Sequence, residues 1–172
     1  MPLKNPLQLK NGSIQINGVD KAGQVTKVKL IEHKTKVEEY QPAGAFAPIE
    51  ANFGMEKPEF GFTMVHRDNT VDSLVGILND SGTSFLFSGA LNDDESTNYR
   101  QLSIEVEGAI SSHAPGDMEP SAKGEVEYTI TDIRYYREVM DGQETFRFDR
   151  RNIDYAVGGV SQTASAKAAM RL

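Results

Sequence analysis

Alternating apolar and polar residues run through most of the chain and predict β-strands. In the clearest case, Leu102, Ile104 and Val106 share one face of a strand. Glu105 and Glu107 occupy the opposite face of that strand. That strand lies in segment 99–110, and further segments with alternating or β-branched residues are 13–16, 24–40, 59–66 and 124–139. Segment 83–91 is apolar on both faces, as expected of a strand covered on both sides. The pattern therefore predicts a mainly β protein with antiparallel strands.

Turn residues and changes of phase divide these segments. The run 24–40 is longer than a typical strand, so we expect a break near His33. In segment 124–139 the apolar positions move from even to odd numbers, which indicates a β-bulge near Thr131 and Asp132. Tight turns between paired strands are predicted at 17–18, 141–142 and 158–159.

One segment has the periodicity of a helix instead. Asn69 or Thr70 is a suitable N-cap, and Asp72 lies in the first turn, where the helix dipole favours a negative charge. Apolar residues follow at positions i, i+3, i+4 and i+7, namely Val71, Leu74, Val75 and Leu78. We therefore expect one short amphipathic helix at about 70–79. The Ala-rich segment 162–171 predicts a second, C-terminal helix.

The segment 41–57 contains prolines and glycines, which disfavour strand pairing, and is expected to be an extended loop. Loops of this length in a compact domain are commonly functional. Large apolar side chains on such a loop favour docking onto a neighbouring molecule. The candidate contact residues are Gly44, Phe46, Ile49 and Phe53.

The composition fits a single domain over residues 1–172, of which 38% are hydrophobic. The chain has no Cys, which excludes disulfides, thiolate metal sites and cysteine nucleophiles. A net charge of −7 disfavours general attraction to nucleic acid. Residues 1–10 lack the apolar core of a signal peptide, and no apolar run is long enough to span a membrane. We therefore expect synthesis in the cytoplasm and no membrane binding.

Residues with catalytic or metal-binding chemistry are scattered along the chain. His33, His66 and His113 lie far apart, without the spacing of metal ligands. The acidic run 92–95 lacks the spacing of a calcium loop and is interpreted as a hairpin tip. We therefore predict no catalytic, cofactor or metal site, and no enzyme activity.

Two charge patterns leave alternatives open. A cluster of lysines either protects an exposed β-ribbon against pairing with other chains or forms a partner site. Two alternating acidic stripes fit an ordinary solvent-facing sheet as well as a functional surface. The lysines are Lys27, Lys29, Lys34 and Lys36, and the glutamates are Glu105, Glu107, Glu125 and Glu127.

Three long segments together resemble the major tail tube proteins of contractile phages and R-type pyocins. The family's opening strands and glycine-rich segment are similar to IQINGVDKAGQVTKVKLIEHKTKVEEYQPAGAFAPIE. Its Tyr-Tyr strand, Asp-Gly turn and return strand are similar to GEVEYTITDIRYYREVMDGQETFRFDRRN. Its closing turn and short helix are similar to VGGVSQTASAKAAMRL, where Gly158-Gly159-Val160-Ser161 replaces an Asn-Gly-Val-Asp turn. The order and spacing of these segments extend the resemblance over nearly the whole chain.

The resemblance implies a β-sandwich or half-barrel subunit that joins six-membered rings, which stack into a tube around a channel. The implied partners are other copies of the chain, a tail sheath protein, a tape measure protein and a baseplate, with DNA only as passing cargo. The implied location is the tail tube of a virion. In that setting the segment 41–57 contacts the adjacent ring. Candidates for the channel wall, where carboxylates would repel DNA, are Glu105, Glu107, Glu125 and Glu127.

Two other functions fit the same residues. A type VI secretion tube protein has the same architecture and ring. A soluble β-barrel binding module has a similar composition but would stay monomeric. The tail tube interpretation fits both a phage and a genome-free pyocin-like particle.

Overall fold

The alternating segments form strands in the computed structural model, which describes residues 6–76, 82–93, 98–117 and 124–171. Strands account for 58% of it, so the predicted mainly β, antiparallel fold class is confirmed. The strands are β1 (Gln8–Ile16), β2 (Val19–Asp20), β3 (Val25–Lys29), β4 (Thr35–Tyr40), β5 (Ile49–Met55), β6 (Phe60–Met64), β7 (Thr83–Asn92), β8 (Arg100–Pro115), β9 (Val126–Met140), β10 (Gln143–Asp149), β11 (Asp154–Val157) and β12 (Val160–Ser161). The helices are α1 (Asn69–Asp72) and α2 (Ala164–Met170).

The main sheet divides at β9. Its long path runs in the order β12–β11–β10–β9–β8–β7–β1–β2. The second half of β9 pairs with β10, whereas the first half pairs with β6, which in turn pairs with β3. Because of this division the sheet curls into a half-barrel and brings β3 back beside β1.

A bulge lies where β9 divides the sheet. Gly108 of β8 stands opposite three residues of β9, 132–134. Asp132 adopts the left-handed conformation with φ 50°. Its carboxylate accepts a hydrogen bond from Arg150 Nη1 at 2.5 Å, which lowers the pKa of Asp132. The bulge predicted near Thr131 and Asp132 is confirmed.

The inner face of the half-barrel is the hydrophobic core. Both halves of β9 contribute to it, through Tyr128 and Tyr136. Each large side chain buried here stabilises the fold by roughly 1.5–3 kcal/mol. The largest fully buried residues are Tyr128, Tyr136, Phe60, Phe62, Phe85, Ile14, Met64, Ile104, Ile110, Ile130, Val71 and Val106.

The helix predicted at about 70–79 is shorter in the structure. Asp68 is the N-cap, and its side chain accepts a hydrogen bond from the backbone N–H of Thr70 at 2.8 Å. After Asp72 the backbone bonds change to the tighter i to i+3 pattern. Gly76, a poor helix former, follows. Leu78 lies outside the described residues.

Only part of the segment 41–57 is a loop. The prediction of an extended loop over the whole segment was therefore wrong. Residues 49–55 form β5 and pair with β4 as a separate two-stranded sheet. Gly54, with φ 95°, lies at a register shift between the two strands, so this glycine permits pairing instead of preventing it. The remaining loop, residues 41–48, contains both prolines of the segment.

Two further sequence predictions concern the loop after β8 and the C-terminal helix. The loop predicted from residue 111 begins later, because β8 continues to Pro115 and pairs with Val126. Residues 118–123 of that loop lie outside the described residues. The C-terminal helix predicted within 162–171 is present as α2.

Candidate interaction surfaces

The hairpin formed by β4, the loop 41–48 and β5, here called the outer hairpin (residues 35–55), carries an apolar surface outside the core. Phe46 in its loop is fully exposed, and Phe53 on β5 is 59% exposed. Ile49 begins β5, and Gly44 lies in the loop with φ 91°. All four contact residues predicted from the sequence therefore lie on one structural unit.

The sequence analysis missed the contribution of β4 to this surface. Tyr40 stands opposite Ile49, and Val37 opposite Asn52, in the register of the hairpin. Val37 and Tyr40 are both about half exposed. The β-branched and aromatic residues of β4 were visible in the sequence, but their pairing with β5 was not. The outer hairpin thus presents apolar side chains from both strands and from the loop.

The base of the outer hairpin is attached to the C-terminal part of the sheet. The backbone N–H of Glu56 donates to the carbonyl oxygen of Lys34 at 2.8 Å. The ring of His33 stacks on Phe146, with ring centroids 4.1 Å apart, and meets the edge of Tyr136 at 5.9 Å. Among the described residues, neither ring nitrogen of His33 has a hydrogen-bond partner. His33 is therefore an apolar packing residue at the hinge of the hairpin.

The charge environment of His33 acts in two directions. Burial lowers the pKa of His33, and the nearby carboxylate of Glu138 opposes this effect. Glu138 itself accepts a hydrogen bond from the hydroxyl of Tyr136 at 2.7 Å. The neutral imidazole is the form that fits this aromatic setting.

A polar network joins α1 to the sheet. Lys21 Nζ donates to Asp68 at 2.6 Å and to Thr70 at 2.9 Å, and the bond from Lys21 lowers the pKa of Asp68. Burial alone would raise the pKa of Asp72, but hydrogen bonds from Arg67 and from the Tyr128 hydroxyl keep it below its usual value. These groups satisfy one another, so the network stabilises the fold and offers no open site.

The first glutamate stripe lies on the sheet face opposite the core but is partly neutralised. Glu107 accepts a hydrogen bond from Arg151 Nη2 at 2.6 Å. Glu105 stands opposite Arg137 in the ladder of β8 and β9. A hydrogen bond to Glu144 and the nearby charge of Glu105 raise the pKa of Arg137. This face is therefore a mixed network of carboxylates and guanidinium groups.

The second stripe is different, since Glu125 and Glu127 are both exposed at the start of β9. Glu127 stands opposite Thr63 of β6 and lines a cleft that also contains Lys27 and Lys29 of β3. The structure does not bring the two stripes together into one acidic surface.

The lysine cluster separates into two pairs. Lys34 lies 3.0 Å from Glu32, and Lys36 lies 3.8 Å from Glu38. Lys27 and Lys29 are exposed on β3. Within the described ranges, no carboxylate lies within 4.0 Å of either of these two. Only Lys27 and Lys29 thus remain available to an acidic partner.

Among the residues that the structure describes, no group of three or more His, Asp or Glu side chains is placed to hold a metal ion. In the same ranges, no helix has the length and apolar character needed to cross a bilayer.

The sequence matches the family model of phage tail tube protein FII over residues 6–170. No curated protein matches it. Three solved structures of low sequence identity show the same fold. A chain in the cryo-EM structure of an extracellular contractile injection system, the PVC sheath/tube terminator in the extended state, has a TM-score of 0.57 and 11% identity. That match covers 81% of this chain and 99% of the other.

The other two solved structures have similar TM-scores and sequence identities. A chain of the PVC sheath-tube complex in the extended state has a TM-score of 0.56 and 11% identity, covering 78% of this chain and 90% of the other. A chain of the anti-feeding prophage cap, a tube terminating cap, has a TM-score of 0.56 and 10% identity. That match covers 81% of this chain and 93% of the other.

The setting of His33 predicts a loss of stability in mild acid. Because the folded-state pKa is lowered from 6.5, the folded state binds the proton less well than the unfolded chain does. The contribution of neutral His33 is therefore complete above about pH 6.5 and declines as the pH falls from there through the folded pKa.

The measurement is the urea midpoint of the wild type and of His33→Phe at several values between pH 5 and 8. We expect the wild type to lose stability relative to His33→Phe below about pH 6.5. His66→Gln, which changes an exposed histidine, is the control and should follow the wild type. Parallel pH profiles for wild type and His33→Phe would contradict the prediction.

Proposed function

The chain belongs to the phage tail tube protein FII family, and on this premise we propose that it is the tube subunit of a contractile phage tail or pyocin-like particle. Its role is structural, as a tail-tube-like protein. The finer proposal is that copies join into six-membered rings and that these rings stack around a channel. The observation that carries it is the outer hairpin, whose apolar residues lie outside a core that is complete without them.

Apolar side chains exposed in this number are a liability for a monomer but suit an assembling subunit. Phe46, fully exposed at the end of the hairpin, is the best placed to reach a neighbour. We assign the contact with the adjacent ring to Gly44, Phe46, Ile49 and Phe53. Burial of each phenylalanine in such a contact would contribute roughly 1.5–3 kcal/mol.

The other proposed partners follow from the family. A contractile particle surrounds its tube with a sheath, and we propose the sheath protein as the partner on the outer surface. A tape measure protein inside the tube and a baseplate at one end complete the set, with DNA as passing cargo in a phage. The similar solved chains come from a sheath/tube terminator, a sheath-tube complex and a tube terminating cap. This origin supports the proposal that the present chain functions in a particle of that kind.

For the channel wall we now favour the second glutamate stripe over the first. Glu125 and Glu127 are exposed and have no cationic group within 4.0 Å among the described residues, although Lys27 and Lys29 line the same cleft as Glu127. In contrast, Glu107 is paired with Arg151, and Glu105 faces Arg137. Unpaired carboxylates repel the phosphate backbone over about 8 Å at physiological salt, a distance that matters only in a confined channel. Paired carboxylates have little charge left to exert this effect.

The purified protein should assemble as its concentration rises. Sedimentation velocity and negative-stain electron microscopy should show monomers at low concentration, then rings with six-fold end views, and then tubes. A steady monomer at every concentration would contradict ring formation and favour a soluble binding module. If tubes form, a gene neighbourhood with sheath and tape measure genes distinguishes a tail tube from a type VI secretion tube.

Replacing Phe46 and Phe53 by Ser should leave the subunit folded and weaken stacking. Because each side chain contributes at least about 1.5 kcal/mol on burial, the concentration needed for tubes should rise by at least about tenfold per residue. The control is Val19→Ser, which changes an exposed apolar residue on β2, at the opposite end of the long sheet path from β10 and β11, which contact the base of the hairpin. Normal tube formation by the Phe variant would refute the assignment of this contact.

A cysteine at position 127 tests the channel assignment, because the chain has no other cysteine. In assembled tubes, Glu127→Cys should react with a small maleimide but not with a large polyethylene-glycol maleimide, which cannot enter a narrow channel. The same variant at monomer concentrations should react with both reagents and serves as the control. Equal labelling by both reagents in intact tubes would place Glu127 on the outer surface.

A further inference from the structure

The half-barrel is open along one side, between β1 and β3. In the described part of the chain, no strand pairs with the outer edge of β3 or with this edge of β1 before Gln15. Between the two strands lies a groove of about 240 Å³, with Phe87 of the core at its floor. An unpaired strand edge beside an apolar floor is the feature that accepts an additional strand.

The walls of this groove are basic. Lys10 of β1 and Lys27 of β3 line it, and Lys29 lies two residues further along the same face of β3. Lys27 and Lys29 share a cleft with Glu127 but have no carboxylate within 4.0 Å in the described ranges, in contrast to Lys34 and Lys36. An acidic strand with some apolar side chains is therefore the occupant that fits the groove.

Strand β4 has this chemistry. It is exposed at all six positions, and it combines Glu38 and Glu39 with one lysine, Lys36, and the apolar residues Val37 and Tyr40. It is one residue longer than β3, with six residues against five. One edge of β4 pairs with β5, and no described strand pairs with the other edge. The outer hairpin can therefore add to another sheet without losing its own pairing.

The chain's own β4 is held away from the groove. His33, just before β4, stacks on Phe146 of β10, and Thr35 lines a cleft together with Phe148 and Tyr155. The sheet separates β10 from β1 by β9, β8 and β7, and from β3 by β9 and β6. The chain's own β4 is thus engaged with β5 and held beside β10, which leaves the groove to a strand of another molecule.

We propose that the free edge of β3, along this groove, receives strand β4 of a second copy, with a glutamate of that strand meeting Lys27 and Lys29. Neighbouring residues on a strand point to opposite faces, so one of Glu38 and Glu39 lies on the lysine face in either register. The contact is heterologous, since hairpin and groove are different surfaces of the same chain, and such contacts repeat into rings or filaments. This inference rests on the proposed function and names the surface that receives the outer hairpin.

Edge protection is the simpler explanation of the two lysines. Lysines on an unpaired edge discourage pairing with any strand. Protection alone does not require an acidic partner, so it predicts no effect of the glutamates on β4. Pairing with an acidic strand predicts that the two sets of charges depend on each other, as in interfaces where complementary charge sets the choice of partner.

The test reverses the charges on each side separately and then together. Lys27→Glu with Lys29→Glu reverses the groove, and Glu38→Lys with Glu39→Lys reverses the strand. Each pair should raise the concentration needed for assembly about tenfold, because contacting like charges replace opposite ones. The variant with all four changes should assemble within about threefold of the wild type.

Two controls separate this contact from other effects. Lys167→Glu with Arg171→Glu, on and after α2, makes the same change in net charge as the groove variant and should assemble normally. Circular dichroism should show that all variants remain folded. The inference would be overturned if the variant with all four changes folds but fails to assemble. It would also be overturned if the control is as defective in assembly as the groove variant. Normal tubes from either the groove variant alone or the strand variant alone would also overturn the inference. That result would leave the proposed function intact. A wild type that never assembles would instead refute the proposed function.

A disulfide test does not depend on charge. Copies with Thr26→Cys, in the groove, are mixed with copies carrying Val37→Cys, on β4, under conditions that allow tubes to form. Because the chain has no other cysteine, a disulfide-linked pair of unlike copies requires the two sites to meet. Such pairs should be more abundant than those formed with Ser103→Cys on the opposite sheet face. Equal yields for Thr26→Cys and Ser103→Cys would overturn the inference.

Discussion

The structure depends on one strand, β9, keeping three partners at once. Its first half pairs with β6 and β8, and its second half pairs with β8 and β10. β8 pairs along one edge of β9, while β6 and β10 pair with successive parts of the other edge. The bulge at 132–134 lies between these two parts and increases the local twist, so that β6 and β10 can diverge, and Gly108 stands opposite it. A Cβ atom at Gly108 would lie 2.7 Å from Ile130 Cγ2 and 3.1 Å from the carbonyl oxygen of Thr131.

This arrangement closes the core without the outer hairpin. Once β6 folds across the sheet from β9, Phe60 and Phe62 are buried beside Tyr128. No core position remains for the apolar residues of β4 and β5, and Phe46 and Phe53 stay exposed. A subunit built in this way can fold before it assembles, because its core does not need a neighbour. The hairpin is then available for association and is held in place at its base by the packing of His33 on Phe146.

The sequence predicted the features that have a local signature. Period-two alternation identified the strands, and its change of phase identified the bulge at Asp132, because a bulge alters the side on which later residues lie. Prediction was wrong where one residue type has two uses. Gly54 was interpreted as disrupting a strand, yet it serves a register shift within the hairpin. Helix α1 was predicted too long because helical periodicity does not show where the turn tightens.

Contacts between distant residues had no local signature at all. The pairing of Glu107 with Arg151 spans 44 positions, and it changed the interpretation of the first glutamate stripe.

The net charge of the chain also affects its assembly. Copies that each carry a net charge of −7 repel one another, but at physiological salt this repulsion is screened beyond about 8 Å. Opposite charges in contact, such as those of Lys27 or Lys29 with a glutamate of β4, lie well inside that distance. An acidic chain can therefore remain separate while dilute and still recognise its own copies at short range.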